Sequence, residues 1–105
     1  MNQYEIVLVN LDPTIGSEIR KTRPCLIISP NEMNHNLNTI IIAPVTSKFK
    51  DYPTRIETRI KEKKSFIILD QIRTIDKKRI IKSVSKLNPK KIQSVKTLIN
   101  EMLVQ

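Results

Sequence analysis

Ile80-Ile81-Lys82-Ser83-Val84-Ser85-Lys86-Leu87-Asn88-Pro89-Lys90-Lys91-Ile92-Gln93-Ser94-Val95-Lys96-Thr97-Leu98-Ile99 is where the chain changes period. Ile80 to Leu87 reads as a strand with one polar side. From Asn88 the apolar residues Ile92, Val95, Leu98, Ile99, Met102 and Leu103 recur at helical spacing and share one face. Asn88 is a good N-cap, because its side-chain oxygen can accept a free amide of the first turn. Pro89 is a good first helical residue, since its fixed φ suits a helix and its missing N–H costs nothing there. The spacing predicts a helix over 89–103.

Upstream, every apolar run is short. Residues 4–11 read as a valine-rich strand ended by Asp12-Pro13-Thr14, because proline cannot continue a central strand. Residues 12–22 form a polar loop. Residues 24–29 are continuously apolar, which predicts a strand buried on both faces. Pro30 to Asn36 breaks it; Pro30 can start one helical turn, while the asparagines favour irregular structure. Residues 38–46 make a third strand, with an edge or bulge expected at Pro44, which has no N–H. Residues 54–60 alternate, Thr54, Ile56, Thr58 and Ile60 against Arg55, Glu57 and Arg59, as a half-exposed strand does. A charged turn at 61–64 leads to a fifth strand, 65–70. Ile72 to Lys78 reads as one helical turn. Six strands then one helix predict a mainly β fold, a small antiparallel barrel with a C-terminal helix packed over it. The length of 105 residues fits a single domain spanning 1–105.

Composition narrows the function. The net charge is +9, which suits a polyanionic partner, nucleic acid ahead of membrane; a lysine-rich surface serving solubility explains it equally well. Aromatics are 4% with no tryptophan, too few to stack many bases. One cysteine, Cys25 in an apolar run, builds no disulfide framework and suits the cytoplasm. Met1 to Glu5 lacks the basic and apolar regions of a signal peptide, and no run is long enough to cross a bilayer. One cysteine and one histidine, His35, do not make a zinc set, so no metal and no cofactor is expected. A single glycine, Gly16, cannot make a phosphate-binding loop.

The polar loop Gly16-Ser17-Glu18-Ile19-Arg20-Lys21-Thr22-Arg23-Pro24 carries the densest chemistry, held between two apolar runs. Arginine, hydroxyl and carboxylate suit one reaction. RNA brings its own nucleophile, the 2′-hydroxyl, beside each phosphate. Cleavage then needs a base, positive charge on the phosphorane and a proton for the leaving oxygen. Arginine supplies a forked phosphate clamp, a carboxylate such as Glu18 a base, and a threonine hydroxyl a hydrogen bond.

Seven segments together resemble the MazF/PemK (Kid) family of toxin endoribonucleases over essentially the full length. They are Leu11-Asp12-Pro13-Thr14, Gly16-Ser17-Glu18, Thr22-Arg23-Pro24, Ile28-Ser29-Pro30, Ala43-Pro44-Val45-Thr46-Ser47, Tyr52-Pro53 and Leu69-Asp70-Gln71-Ile72-Arg73-Thr74-Ile75-Asp76. Each is weak alone; their joint order is specific. The resemblance implies an SH3-like barrel, a homodimer, and metal-independent cutting of single-stranded RNA (mRNA) to 2′,3′-cyclic phosphate and 5′-hydroxyl ends. It further implies an acidic MazE-like antitoxin. By position it assigns catalysis to Arg23 and Thr46, with Glu18 or Asp70 as proton acceptor. For Asp70, a carboxylate tying down the turn at Gln71–Thr74 is the equal alternative.

Ser17 stands where one branch has a catalytic histidine and Ile68 where it has a catalytic arginine, so that branch's mechanism does not transfer. Arg20, Lys21, Lys48 and Lys50 can follow an RNA backbone, and Ser17, Thr22 and Ser47 join them as candidate RNA-binding residues. Phe49 and Tyr52 can stack on bases, and Gln71 and Arg73 can touch base edges; solvated charge or turn contacts are the plain readings. The rival functions are a CcdB-like gyrase poison, whose tail tryptophan has no counterpart in Leu103-Val104-Gln105, and a silent nucleic-acid-binding module.

Overall fold

The computed structural model describes residues 1–12, 21–49 and 51–104. Seven strands and two helices are formed among them: β1 Glu5–Asp12, β2 Lys21–Ile27, α1 Asn31–Asn36, β3 Thr39–Thr46, β4 Arg55–Ile60, β5 Lys63–Ile68, β6 Arg73–Asp76, β7 Ile80–Lys86 and α2 Pro89–Ile99. Neighbouring strands run β4-β5-β3-β2-β1-β7, with β6 also beside β3, and each of these pairs is antiparallel. The fold is mainly β, a curled antiparallel sheet with one C-terminal helix.

Two apolar clusters hold it. One lies under α2 and joins Ile6, Leu26, Ala43, Val45, Ile60, Ile67, Leu69, Leu87 and Val95. The other joins Val7, Val9, Cys25, Ile27, Ile40, Ile42 and Ile75. Strands β1, β2 and β3 feed both, because successive side chains of a strand point to opposite faces. That is why 24–29 reads as apolar without a break.

The period change at Asn88 is real. Asn88 Oδ1 accepts the Lys91 amide at 2.9 Å, and Pro89 sits in the first turn. Val95 is buried, with Ile92, Leu98, Ile99 and Met102 packed against the same cluster. Leu103 leaves that face and is exposed. The chain widens into a π-helical turn at Asn100–Val104, so the 3.6-residue stripe no longer holds there.

Other boundaries differ from the sequence reading. Thr22 and Arg23 belong to β2, paired to Asn10 and Val9, where a loop was expected. Residues 31–36 form a full helix, because the buried Asn34 side chain is bonded to Ser29 by its carbonyl oxygen and its amide nitrogen. Residues 73–76 are a strand, β6, and the turn of helix expected at 72–78 is confined to a 3-10 turn at Lys77–Arg79. With one buried side chain in four, Ile75, β6 leaves almost no period to read.

Pro44 sits neither at a sheet edge nor in a bulge. On one side β3 pairs with β6 up to Ile42 and with β5 from Val45. Ala43 and Pro44 fill the seam between these two ladders, where a missing N–H removes no rung.

Candidate active site

The last rung of the β2–β3 ladder is Cys25↔Pro44. Both strands continue beyond it without pairing to each other. Arg23 lies two residues past Cys25 and Thr46 two past Pro44. With side chains alternating at period two, the pair occupies equivalent places on the two diverging ends. Both line one pocket of about 310 Å³, together with Thr22, Pro24, Val45, Ser47, Ile60, Lys63 and Ser65. The lining includes two cationic and four hydroxyl-bearing residues, and among the described residues no carboxylate. A cationic, hydroxyl-lined concavity suits a phosphate group.

Arg23 makes no ion pair among the described residues. Thr46 Oγ1 accepts the Lys48 backbone N–H at 3.2 Å, which leaves the hydroxyl proton free to be donated. Behind them Cys25 is fully buried. Burial pushes its thiol up to about 12, against the opposing fields of Arg23 and Arg73. A thiol so suppressed is no nucleophile at neutral pH.

Several sequence-derived candidates lie elsewhere. Ser17, Glu18 and Arg20, with Gly16 and Lys50, fall outside the described residues, as does the side chain of Lys21. Thr22 and Ser47 line the pocket; Lys48, Phe49, Tyr52, Asp70, Gln71 and Arg73 do not. Phe49 is exposed and meets Phe66 edge-on, with ring centres 5.3 Å apart. The Arg55 guanidinium lies over the Tyr52 ring, 5.1 Å from its centre. Asp70 Oδ1 accepts the Thr54 hydroxyl at 2.9 Å and stands 4.0 Å from Arg55 Nε. These contacts tie Asp70 to Thr54 and Arg55 at the start of β4, and not to the turn at Gln71–Thr74. Arg73 opens β6 opposite Ile42. His35 is exposed, with Nε2 3.2 Å from the Met1 carbonyl oxygen.

Sequence reasoning missed the wall formed by the β4–β5 hairpin: Ile60, Lys63 and Ser65. The available signal was alternation. Lys63, Ser65 and Ile67 share one face of β5, and Ile67 is core.

The family model for the PemK-like, MazF-like toxin of type II toxin-antitoxin systems matches residues 2–103. The endoribonuclease MazF of Staphylococcus saprophyticus is 34% identical over 106 residues, covering 95% of this chain and 88% of that protein. Two solved structures share the fold. MazE–MazF (Form-II) from Deinococcus radiodurans superposes with a TM-score of 0.85 at 22% identity, covering 100% of this chain and 96% of that one. A mycobacterial endoribonuclease in complex with its cognate antitoxin superposes with a TM-score of 0.84 at 16% identity, covering 99% and 95%.

Proposed function

The chain belongs to the PemK-like, MazF-like toxin family, and we propose that it is an endoribonuclease that cuts single-stranded RNA without a metal ion. The single observation that carries the mechanism is the meeting of Arg23 and Thr46 in one pocket. The 2′-oxygen attacks the adjacent phosphorus, forming a 2′-O–P bond, and the P–O5′ bond breaks. The departing 5′-oxygen takes a proton from solvent water, and the products are a 2′,3′-cyclic phosphate and a 5′-hydroxyl. The Arg23 guanidinium holds the non-bridging oxygens as charge builds on them; such preorganised charge is usually the largest catalytic term. The Thr46 hydroxyl, oriented by its bond from Lys48, donates to the same phosphate.

Glu18 is assigned the 2′-hydroxyl proton, because the Asp70 carboxylate is engaged with Thr54 and lies off the pocket lining. Thr22 and Ser47 touch the bound strand from the pocket rim. Arg73 reaches it from the next strand over, and Lys48 and Phe49 from the loop after β3. The protein acts in the cytoplasm as a homodimer, and an acidic antitoxin of the MazE kind, complementary to its +9 charge, restrains it. Among the described residues no helix is long and apolar enough to cross a membrane.

The test is digestion of a long mixed-sequence RNA with EDTA present, with the cut ends mapped chemically. Cleavage to cyclic-phosphate ends that is lost in Arg23→Ala supports the reading. Dependence on added metal, or full activity in Arg23→Ala, overturns it. Binding without cutting would make the chain a silent RNA-binding module.

A further inference from the structure

We propose that Lys63 is a second phosphate-binding cation of the pocket, contacting the scissile phosphate from the wall opposite the end of β2. This rests on the RNA-cleaving reading and adds a catalytic residue to it.

Three observations converge on Lys63. The first is its place on β5. Ile67, Ser65 and Lys63 lie on one face, opposite Ile56, Thr58 and Ile60 of β4. Along that face the lining passes from the core at Ile67, through Thr58 and Ser65, each 5% exposed, to the pocket at Ile60 and Lys63. Lys63 is itself exposed, at the open end of this face, where it lines the pocket. The neighbouring Lys64 takes the outer face and pairs with Glu57 at 3.5 Å. Lys63 has no ion pair among the described residues.

The second is the turn that delivers it. Ile60↔Lys63 closes the β4–β5 hairpin, so the loop is Lys61-Glu62 alone. Both residues are left-handed, φ 49° and 68°. Two-residue hairpin loops with both φ positive are usually Asn-Gly or Gly-Gly, because a Cβ is strained there. The Glu62 carbonyl accepts from Arg59 Nη1 at 3.2 Å, which braces the turn. A short, braced hairpin fixes where Lys63 begins, and strained backbone tends to collect where function needs a fixed geometry.

The third is charge. When the 2′-hydroxyl proton leaves, the phosphorane carries two negative charges on its non-bridging oxygens. Arg23 supplies one positive charge, and Lys63 supplies the other described charge in the lining. Its role is to hydrogen-bond and neutralise an oxygen; the 2′-oxygen proton still goes to the base.

Lys63→Gln and Lys63→Arg separate charge from shape. Two readouts are used: kcat and KM on a cleavable RNA, and the salt dependence of binding to a fully 2′-O-methylated RNA, which has no nucleophile. Lys63→Gln is expected to lose ten- to hundredfold in kcat. Its slope of log binding constant against log salt should fall by roughly 0.7, the loss of one single-strand phosphate contact. Lys63→Arg should keep most of both, with unchanged melting of all three proteins. Wild-type kcat and slope in Lys63→Gln would overturn the proposal. So would equal losses in both variants accompanied by lowered melting, which would mark a structural role. A wild-type protein that binds the methylated RNA but cuts nothing would defeat the enzymatic reading, while the slope in Lys63→Gln would still decide whether Lys63 contacts phosphate.

Discussion

The hydroxyl oxygen of Thr46 accepts the backbone N–H of Lys48 at 3.2 Å, two residues further along the same chain. One short local bond thereby sets which way the threonine proton points. Thr46→Val keeps the shape and removes both halves of the arrangement. It should lower kcat roughly a hundredfold, the usual scale for deleting one aimed donor, with KM nearly unchanged. Thr46→Ser should retain most activity. Steady-state cleavage of a defined RNA checks both.

Asp70 offers the opposite test. Its contacts are the Thr54 hydroxyl and the nearby Arg55. Asp70→Asn should lower stability by about 1 kcal/mol, the net scale of one hydrogen bond, and leave kcat within a few-fold. Denaturant midpoints and cleavage rates on the same preparations decide it. A hundredfold loss of kcat with unchanged stability would return Asp70 to the catalytic set.

Cys25 makes stability depend on alkaline pH. Burial pushes its thiol from 9.0 to about 12. Below pH 9 the thiol is protonated in both folded and unfolded chains and contributes no slope. Between 9 and 12 the unfolded chain gives up the proton and the folded one keeps it. Stability therefore falls as pH rises through this window, by up to about 1.4 kcal/mol per unit. Midpoints at pH 8, 9 and 10 for wild type and Cys25→Ala should show a steeper decline in wild type.

The hairpin turn predicts a gain. Glu62 holds φ 68° with a Cβ. Glu62→Gly removes that crowding and should stabilise the fold by about 1 kcal/mol. Calorimetry should record a rise of several degrees. If Lys63 acts as proposed, the looser turn should also cost some activity.

The sequence carried much of this architecture. The stripe from Ile92 to Met102, the cap at Asn88 and the alternation over Thr54–Ile60 are periodic over many residues, and periodicity survives the lack of tertiary context. Residues 73–76 were illegible as a strand because Arg73, Thr74 and Asp76 are exposed and only Ile75 is buried. The helix at 31–36 was obscured by four asparagines in and around it. Asn34 acts through a tertiary bond to Ser29, which no local propensity encodes. At the site, Arg23 and Thr46 were reached through resemblance. The strand register that sets them on matching ends, Cys25↔Pro44, is a long-range fact. Lys63 was assigned to a charged turn at 61–64, whereas the turn is Lys61-Glu62 alone and Lys63 already opens β5; with no glycine or asparagine there, the sequence does not announce so tight a hairpin.

The Ala43–Pro44 seam also has a mechanical meaning. Strands β4 and β5 hold each other by six paired positions, but β5 is joined to β3 by only two, Val45↔Ile67 and Thr46↔Phe66. Beyond those two rungs the hairpin is held by side chains, with Ile60 and Ile67 seated in the cluster under α2. The wall that carries Lys63 is therefore anchored by packing as well as by backbone pairing, and a cavity cut at Ile67 would loosen it.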